Sequence, residues 1–259
     1  MTMQCAVISN RPLTEGFFHL SLAPEEPMGA ITPGQFVMIR CCDFTDPLLR
    51  RPMSVADFEP DGSRFGLIVQ TAGRGTGMLS HLVEGDRLDV IGPFGQGYNV
   101  PQEAKSVMIV AGGTGVAPFM TLAPTLAAGG KNVHVLLGAR TKGHLLMEER
   151  FLHAGAQVHV ATEDGSKGFD GLVTELMGKQ LDHMDEPPDL ALACGPAGMM
   201  RAVATLAEHS NIPCQVSLEN SMACGFGACL GCVAHVRGEE RYVTVCRKGP
   251  VFDSREVEI

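Results

Sequence analysis

Tryptophan is absent and tyrosine occurs only twice among 259 residues, so the interior has to be aliphatic, with methionine and phenylalanine filling gaps. Basic residues are outnumbered, 20 Lys and Arg against 29 Asp and Glu, and the formal charge of −9 argues against nucleic acid or an anionic membrane as a partner. No apolar run reaches the length that spans a bilayer. The opening Met1-Thr-Met-Gln-Cys-Ala-Val-Ile8 lacks the basic start and long apolar core of an export signal. A reducing cytoplasm is therefore expected, with free thiols rather than a disulfide framework. Internal repeats and low-complexity tracts are missing too. What is present is an ordinary globular composition, 45% hydrophobic and 19% charged, long enough for two compact domains and a small appendage.

Nine cysteines are an odd number, and four of them fall as Cys224-x4-Cys229-x2-Cys232-x13-Cys246. The first three reproduce the run that plant-type ferredoxins use for a 2Fe–2S cluster, with a fourth thiolate arriving from further on. Gly225, Gly227 and Gly231 let the backbone curl so that amide N–H groups point at cluster sulfurs. A zinc knot is the alternative, but zinc favours two separate two-cysteine knuckles over one glycine-rich triplet. Cys5, Cys41, Cys42, Cys194 and Cys214 are left over. The nine histidines show no ligand spacing.

The rhythm of the chain changes twice. Residues 1–100 read as short strands (Cys5–Ser9, Phe17–Leu22, Gln35–Arg40, Arg64–Gln70, Arg87–Gly92) separated by Gly and Pro, which predicts a small antiparallel β-barrel. Residues 101–213 carry near-continuous apolar runs at Ser106–Ala111, Asn132–Gly138, Gln157–Thr162 and Leu190–Cys194, as strands buried on both faces do. Helical patterns lie between and after them at Val116–Ala128, Leu145–Ala154, Leu172–Lys179 and Gly198–His209, so an α/β domain with a parallel sheet is expected. Residues 214–259 form a third segment. Cys214–Leu218 offers one more strand before the cysteine loop begins near Glu219, and Asp182–Asp189 reads as a surface loop.

Several segments suit phosphate. In Val107-Met-Ile-Val-Ala-Gly-Gly-Thr-Gly-Val-Ala-Pro118 a strand runs into a turn, Gly112-Gly-Thr-Gly115, and then a helix. Helix N-termini expose unpaired N–H groups and the positive dipole end. Cys194-Gly-Pro-Ala-Gly198 ends a later strand at the same carboxyl edge, where open α/β sheets bind ligands. Cys194 and Gly195 then lie near a nicotinamide ring; the plainer alternative for Cys194 is a small buried hydrophobe. In the first domain Arg51-Pro-Met-Ser54, read as leading into a strand, offers a guanidinium fork and a hydroxyl. The glycine-rich Gly73-Arg-Gly-Thr-Gly-Met-Leu-Ser80 leads into a short helix.

Taken in order, the Arg-Pro-x-Ser barrel, the Gly-Thr loop, the Gly-Gly-x-Gly turn and the Cys-Gly strand end resemble the ferredoxin–NADP reductase superfamily. Together with Leu218-Glu-Asn-Ser-Met-Ala-Cys-Gly-Phe-Gly-Ala-Cys229 and Val245-Cys-Arg-Lys-Gly-Pro-Val-Phe252, the tail is similar to that of the electron-transfer subunits of dihydroorotate dehydrogenase B. The resemblance implies an FAD-binding barrel over 1–100, an NAD-binding domain over 101–213 and a 2Fe–2S segment over 214–259. It implies FAD contacts from Arg51, Pro52, Met53, Ser54, Ile68, Val69, Gln70, Gly75 and Thr76, and NAD contacts from Gly112, Gly113, Thr114, Gly115, Cys194 and Gly195. Cys224, Cys229, Cys232 and Cys246 would ligate the cluster. The implied role is an electron conduit of pyrimidine biosynthesis without a catalytic acid or base for the organic substrate. Electrons would pass from an FMN-containing dihydroorotate dehydrogenase catalytic subunit, in an α2β2 heterotetramer, through the cluster and FAD to NAD+. Two departures stand out: Val69 and Gln70 replace the family's frequent aromatic and Arg, and Cys194-Gly-Pro-Ala-Gly198 is closer to general ferredoxin reductases. Arg140 and Lys142 follow the second α/β strand, where they either meet a 2′-phosphate or are solvated loop charges; NAD is expected. Rival readings are a flavin–iron–sulfur subunit of a ferredoxin:NAD(P) or hydrogenase complex, and a non-enzymatic iron–sulfur redox sensor. Phe226 and Leu230 either contact a partner or pack over the cluster.

Overall fold

The computed structural model describes residues 2–259. Its first part is a barrel of six antiparallel strands: β1 (Thr2–Thr14), β2 (Phe17–Pro24), β3 (Phe36–Ile39), β4 (Arg51–Phe58), β5 (Phe65–Gln70) and β6 (Arg87–Phe94). They close in the order β1-β2-β5-β4-β3-β6, with the short helix α1 (Arg74–Ser80) between β5 and β6. Leu20, Leu22, Ile39, Phe65 and Leu67 are wholly buried inside it, each worth about 1.5–3 kcal/mol of transfer free energy. The sequence pattern shows five of these strands; β4 is the sixth. Arg51-Pro-Met-Ser54 lies within β4, where Pro52 pairs with Met38 and Ser54 with Phe36. Proline lacks a ladder donor and reads as a strand breaker, which hides the first half of this strand.

Beyond the barrel the α/β unit follows: β7 (Ser106–Gly112), α2 (Phe119–Ala128), β8 (Asn132–Ala139), α3 (Glu148–His153), β9 (Gln157–Thr162), β10 (Phe169–Asp170), α4 (Val173–His183), β11 (Leu190–Cys194), α5 (Ala197–His209) and β12 (Cys214–Ser217). All four apolar runs are strands, and β7 to β12 pair in parallel. Two helices start later than their periodicity suggests. Gly113–Val116 forms a single 3-10 turn ahead of α2, and Met147 takes a left-handed φ of 62° immediately before α3.

After β12 the chain makes the cysteine loop and a small hairpin, β13 (Val233–His235) and β14 (Tyr242–Thr244), then a turn of helix, α6 (Val245–Lys248). It returns as β15 (Val251–Asp253), antiparallel to β12 with Val216 opposite Phe252. The sheet order is therefore β10-β9-β8-β7-β11-β12-β15, and the loop is pinned at both ends by the sheet. Barrel and sheet are joined by Tyr98, whose buried hydroxyl donates to the Ala193 carbonyl at 2.8 Å while its ring packs 5.1 Å from Phe119. The loop also docks on the barrel, where Phe226 lies 6.2 Å from Phe94, centroid to centroid.

Candidate functional site

Barrel, sheet and cysteine loop meet around one cleft of about 450 Å3. β4 supplies Pro52, Met53 and Ser54, and β5 supplies Ile68, Val69 and Gln70. Thr114 comes from the glycine turn, and Ser217 to Met222 from the start of the cysteine loop. A second cavity, of about 390 Å3, opens along the carboxyl edge of the sheet, with Gly112, Gly113, Arg140, Glu163 and Met199 in its wall. Gln70 lines both, so the two spaces adjoin at the foot of β5. A long molecule can lie along the sheet edge and place one end in the cleft.

The remaining expected residues are distributed around these spaces. Arg51 donates from Nη1 to the Leu49 carbonyl at 2.7 Å. Its Nε sits 3.3 Å from where a Cβ on Gly75 would be, so the arginine and the Gly-Thr loop adjoin. The Thr76 hydroxyl holds that loop: it accepts from the amides of Ala72 at 2.9 Å and Gly73 at 3.2 Å. Gly115 lies under the Cys194 carbonyl, where a Cβ would come within 2.1 Å of the oxygen, so its part is close packing. Cys194 is 3% exposed, and neither it nor Gly195 reaches the wall of either cavity. Burial, reinforced by the charge of Glu219, pushes the Cys194 thiol up to about 12, so it stays a neutral thiol.

Glu219 is a residue that motif reading passes over. No spacing marks it, because the cleft that gives it meaning is assembled from three distant segments. The side chain is exposed where it lines the cleft, and partial desolvation by the surrounding protein raises its pKa above the ordinary carboxylate range.

The four tail cysteines form two pairs. The Cys229 amide donates to Cys224 Sγ at 3.4 Å, and the Cys246 amide to Cys232 Sγ at 3.4 Å. Burial raises the Cys224 pKa, but amides of Cys229, Phe226 and Ala228 outweigh it and bring the thiol down to about 6. Cys246 is driven the other way, to about 12, by burial and by the neighbouring Cys232 thiol. Positive φ angles at Gly225 (82°) and Gly227 (88°) aim the amides inward; the third turn takes its positive φ at Leu230 (56°) and not at Gly231. Among the described residues no three ligand-type side chains converge where one metal ion would be held. A single zinc needs four convergent donors, whereas thiols paired two by two suit two irons with two ligands each. The donor set fits a two-iron cluster.

Residues 219–258 match the iron–sulfur cluster binding domain of dihydroorotate dehydrogenase B, and residues 109–205 match the oxidoreductase NAD-binding domain. A dihydroorotate dehydrogenase B (NAD(+)) electron transfer subunit from Desulforamulus reducens is 40% identical, the match covering 87% of this chain and 86% of that one. Another, from Caldanaerobacter subterraneus, is 39% identical over 98% of each. The chain belongs to this family. The family of dihydroorotate dehydrogenase B electron-transfer subunits also has structural company. A chain of the NADH-dependent reduced ferredoxin–NADP oxidoreductase, described for flavin-based electron bifurcation, superposes with a TM-score of 0.86. It is 32% identical, with 98% of this chain and 89% of that one covered. The cytochrome b5 reductase domain of Ulva prolifera nitrate reductase shares the fold, with a TM-score of 0.68, 18% identity and coverage of 82% and 94%.

Proposed function

We propose that the chain takes electrons from an FMN-containing, dihydroorotate-oxidising catalytic subunit and delivers them to NAD+ in pyrimidine biosynthesis. It works in the cytoplasm as part of an α2β2 heterotetramer. No helix among the described residues is long and apolar enough to cross a membrane. The observation that carries the reading is the position of the paired thiols: the loop that holds them packs on β3 and continues directly from the cleft wall, where Glu219 to Met222 precede Cys224.

The three parts divide the work, residues 1–100 for FAD, 101–213 for NAD and 214–259 for the cluster. Arg51 to Ser54, Ile68 to Gln70, Gly75 and Thr76 would hold the flavin, Gly112, Gly113 and Thr114 the nucleotide, with Gly115 and the Cys194-Gly195 strand end packed behind them as support, and Cys224, Cys229, Cys232 and Cys246 the 2Fe–2S cluster. A flavin accepts electrons singly and releases them in pairs, while nicotinamide takes only a hydride. The chain contributes position and exclusion of water. Ile68 and Val69 give the cleft a buried apolar wall, Ser54 a hydroxyl at its rim, and the Arg51 fork a charge beside the glycine loop.

The test is anaerobic reconstitution. Dihydroorotate is added to this chain, carrying flavin and cluster, with an FMN-containing dihydroorotate-oxidising subunit, and NADH is followed at its absorbance band. NADH formation that requires both chains is expected; full flavin and cluster spectra without NADH would reject the partner. The likeness to the ferredoxin–NADP oxidoreductase chain supports a second reading, a subunit whose partner exchanges electrons with ferredoxin. Reduction of ferredoxin in place of NADH formation from dihydroorotate would favour it.

A further inference from the structure

On the electron-transfer reading above, electrons cross between the flavin cleft and the cysteine loop within this chain, so the placement of one against the other governs the step. Three phenylalanine rings span that ground. Phe36 on β3 is 3% exposed and forms part of the cleft wall. Phe94, the last residue of β6, lies 6.1 Å from it, centroid to centroid, with the planes tilted by 57°. Phe226, in the cysteine loop, lies 6.2 Å further on at a tilt of 50°. Both spacings fall where tilted aromatic pairs attract.

The outer ring is tied to a cluster ligand. The Phe226 amide donates to Cys224 Sγ, as do those of Cys229 and Ala228. Gly225, between them, is seated on the barrel as well, since a Cβ there would stand 2.4 Å from Met38 Cγ. The two residues that follow Cys224 thus each rest on a barrel side chain, Met38 of β3 and Phe94 of β6. Phe94 is itself fixed from the far side. Gly95 has a left-handed φ of 83°, and a Cβ on it would come 2.5 Å from Pro250 Cδ and 3.1 Å from Phe36 Cε1. Its carbonyl accepts from Gln35 Nε2 at 3.0 Å, and the Gln96 amide donates to the Gly249 carbonyl at 2.6 Å. Pro250 lines the cleft beside Phe36. Barrel, cleft wall and cysteine loop therefore meet on one ring.

We propose that Phe94 is a positioning residue for electron transfer, the ring that sets how close the Cys224 end of the cluster stands to the flavin cleft. Its side chain lines neither the cleft nor the sheet-edge cavity, so it acts through Phe36 on one side and Phe226 on the other. A ring wedged between two others passes position on because a close-packed interior has few voids to absorb a shift. Truncating it opens a void under Phe226, and the loop that carries Cys224 resettles around that void. Electrons balance without the ring: each one that leaves the flavin arrives at the cluster, and no bond to Phe94 forms or breaks.

The experiment uses the chain carrying flavin and cluster, under anaerobic conditions, with NADH as donor. Stopped-flow absorbance separates reduction of the flavin from passage of electrons on to the cluster. Phe94→Ala is expected to leave the first step at the wild-type rate and to slow the second about tenfold or more, the scale on which a misplacement of about 1 Å acts. The midpoint potential of the cluster is expected to stay at the wild-type value, and Phe94→Tyr, which keeps the ring, to restore the rate. A second readout needs no turnover. In the chemically reduced chain the paramagnetic cluster broadens the resonance of a fluorine-labelled flavin, steeply with separation, and this broadening is expected to change in Phe94→Ala. Phe226→Ala removes a half-exposed ring but keeps the amide at Cys224; it is expected to reproduce both effects, and it decides the matter should Phe94→Ala lose iron. Wild-type transfer and broadening in the iron-replete variants overturn the proposal, as does a lower melting temperature with no other change. Slow transfer with a shifted cluster potential overturns it too, since driving force and not placement has then changed. A wild-type chain whose cluster stays oxidised while NADH bleaches the flavin overturns the electron-transfer reading, and the role of Phe94 with it.

Discussion

A left-handed φ of 82° at Gly225 puts backbone where side chains cannot follow: a Cβ there would stand 2.4 Å from Met38 Cγ, and Met38 is wholly buried. Gly225→Ala therefore adds that clash to a backbone cost of about 1–2 kcal/mol; lower iron content per chain and a reduced melting temperature are expected. Cys229 is the more exposed cysteine of its pair, and on the proposed assignment Cys229→Ala should abolish the visible absorption and paramagnetic signal of a reduced cluster while the flavin stays bound. Glu163 and Arg140 share the wall of the sheet-edge cavity and neither is in a salt bridge among the described residues. A carboxylate there disfavours a 2′-phosphate, so Glu163→Gln is expected to raise kcat/KM for NADPH relative to NADH by about tenfold, about 1.4 kcal/mol; an unchanged ratio would remove Glu163 from selection. At this scale the cysteines are legible in sequence because ligand chemistry is written in their spacing. Glu219 is not, since only the folded chain brings it into the wall of the cleft.

Elements with one dominant rhythm are also legible. β7 and β11 are buried along almost their whole length, and an unbroken apolar run marks each. β4 and β15 are not, because the first opens on Arg-Pro and the second is three residues that matter only through pairing with β12. Two neighbouring strands carry an acid-sensitive feature. His134 on β8 and His159 on β9 stack with ring centroids 6.3 Å apart and nearly parallel planes, and each has a buried ring nitrogen without a partner. Burial lowers both pKa values, and at His134 the second histidine adds to it. The folded state thus holds both rings neutral while the unfolded chain binds protons below about pH 6.5. Stability is full above that pH and falls as pH drops through it. His134→Leu is expected to flatten this acid limb in chemical denaturation; an unchanged slope would contradict the assignment.

For the whole molecule, the cysteine loop leaves the sheet at Ser217 and rejoins it at Val251, so it rests on both the sheet and the barrel. Phe226 and Leu230 remain 54% and 65% exposed on it. Phe226 packs against Phe94 with one part of its ring region, whereas Leu230 stands free in the left-handed turn, which favours a contact role for the leucine. Leu230→Ser should weaken association with the catalytic subunit without changing iron content, as sedimentation of the mixed chains would show. The most direct single measurement concerns continuity between nicotinamide and cluster. NADH is added anaerobically to the chain carrying flavin and cluster, samples are frozen at intervals, and reduced-cluster paramagnetism is recorded beside flavin bleaching. Bleaching followed by the cluster signal is the expected result, with bleaching alone in Cys229→Ala. A wild-type cluster that stays oxidised under NADH, yet is reduced by a chemical reductant, would contradict the electron path.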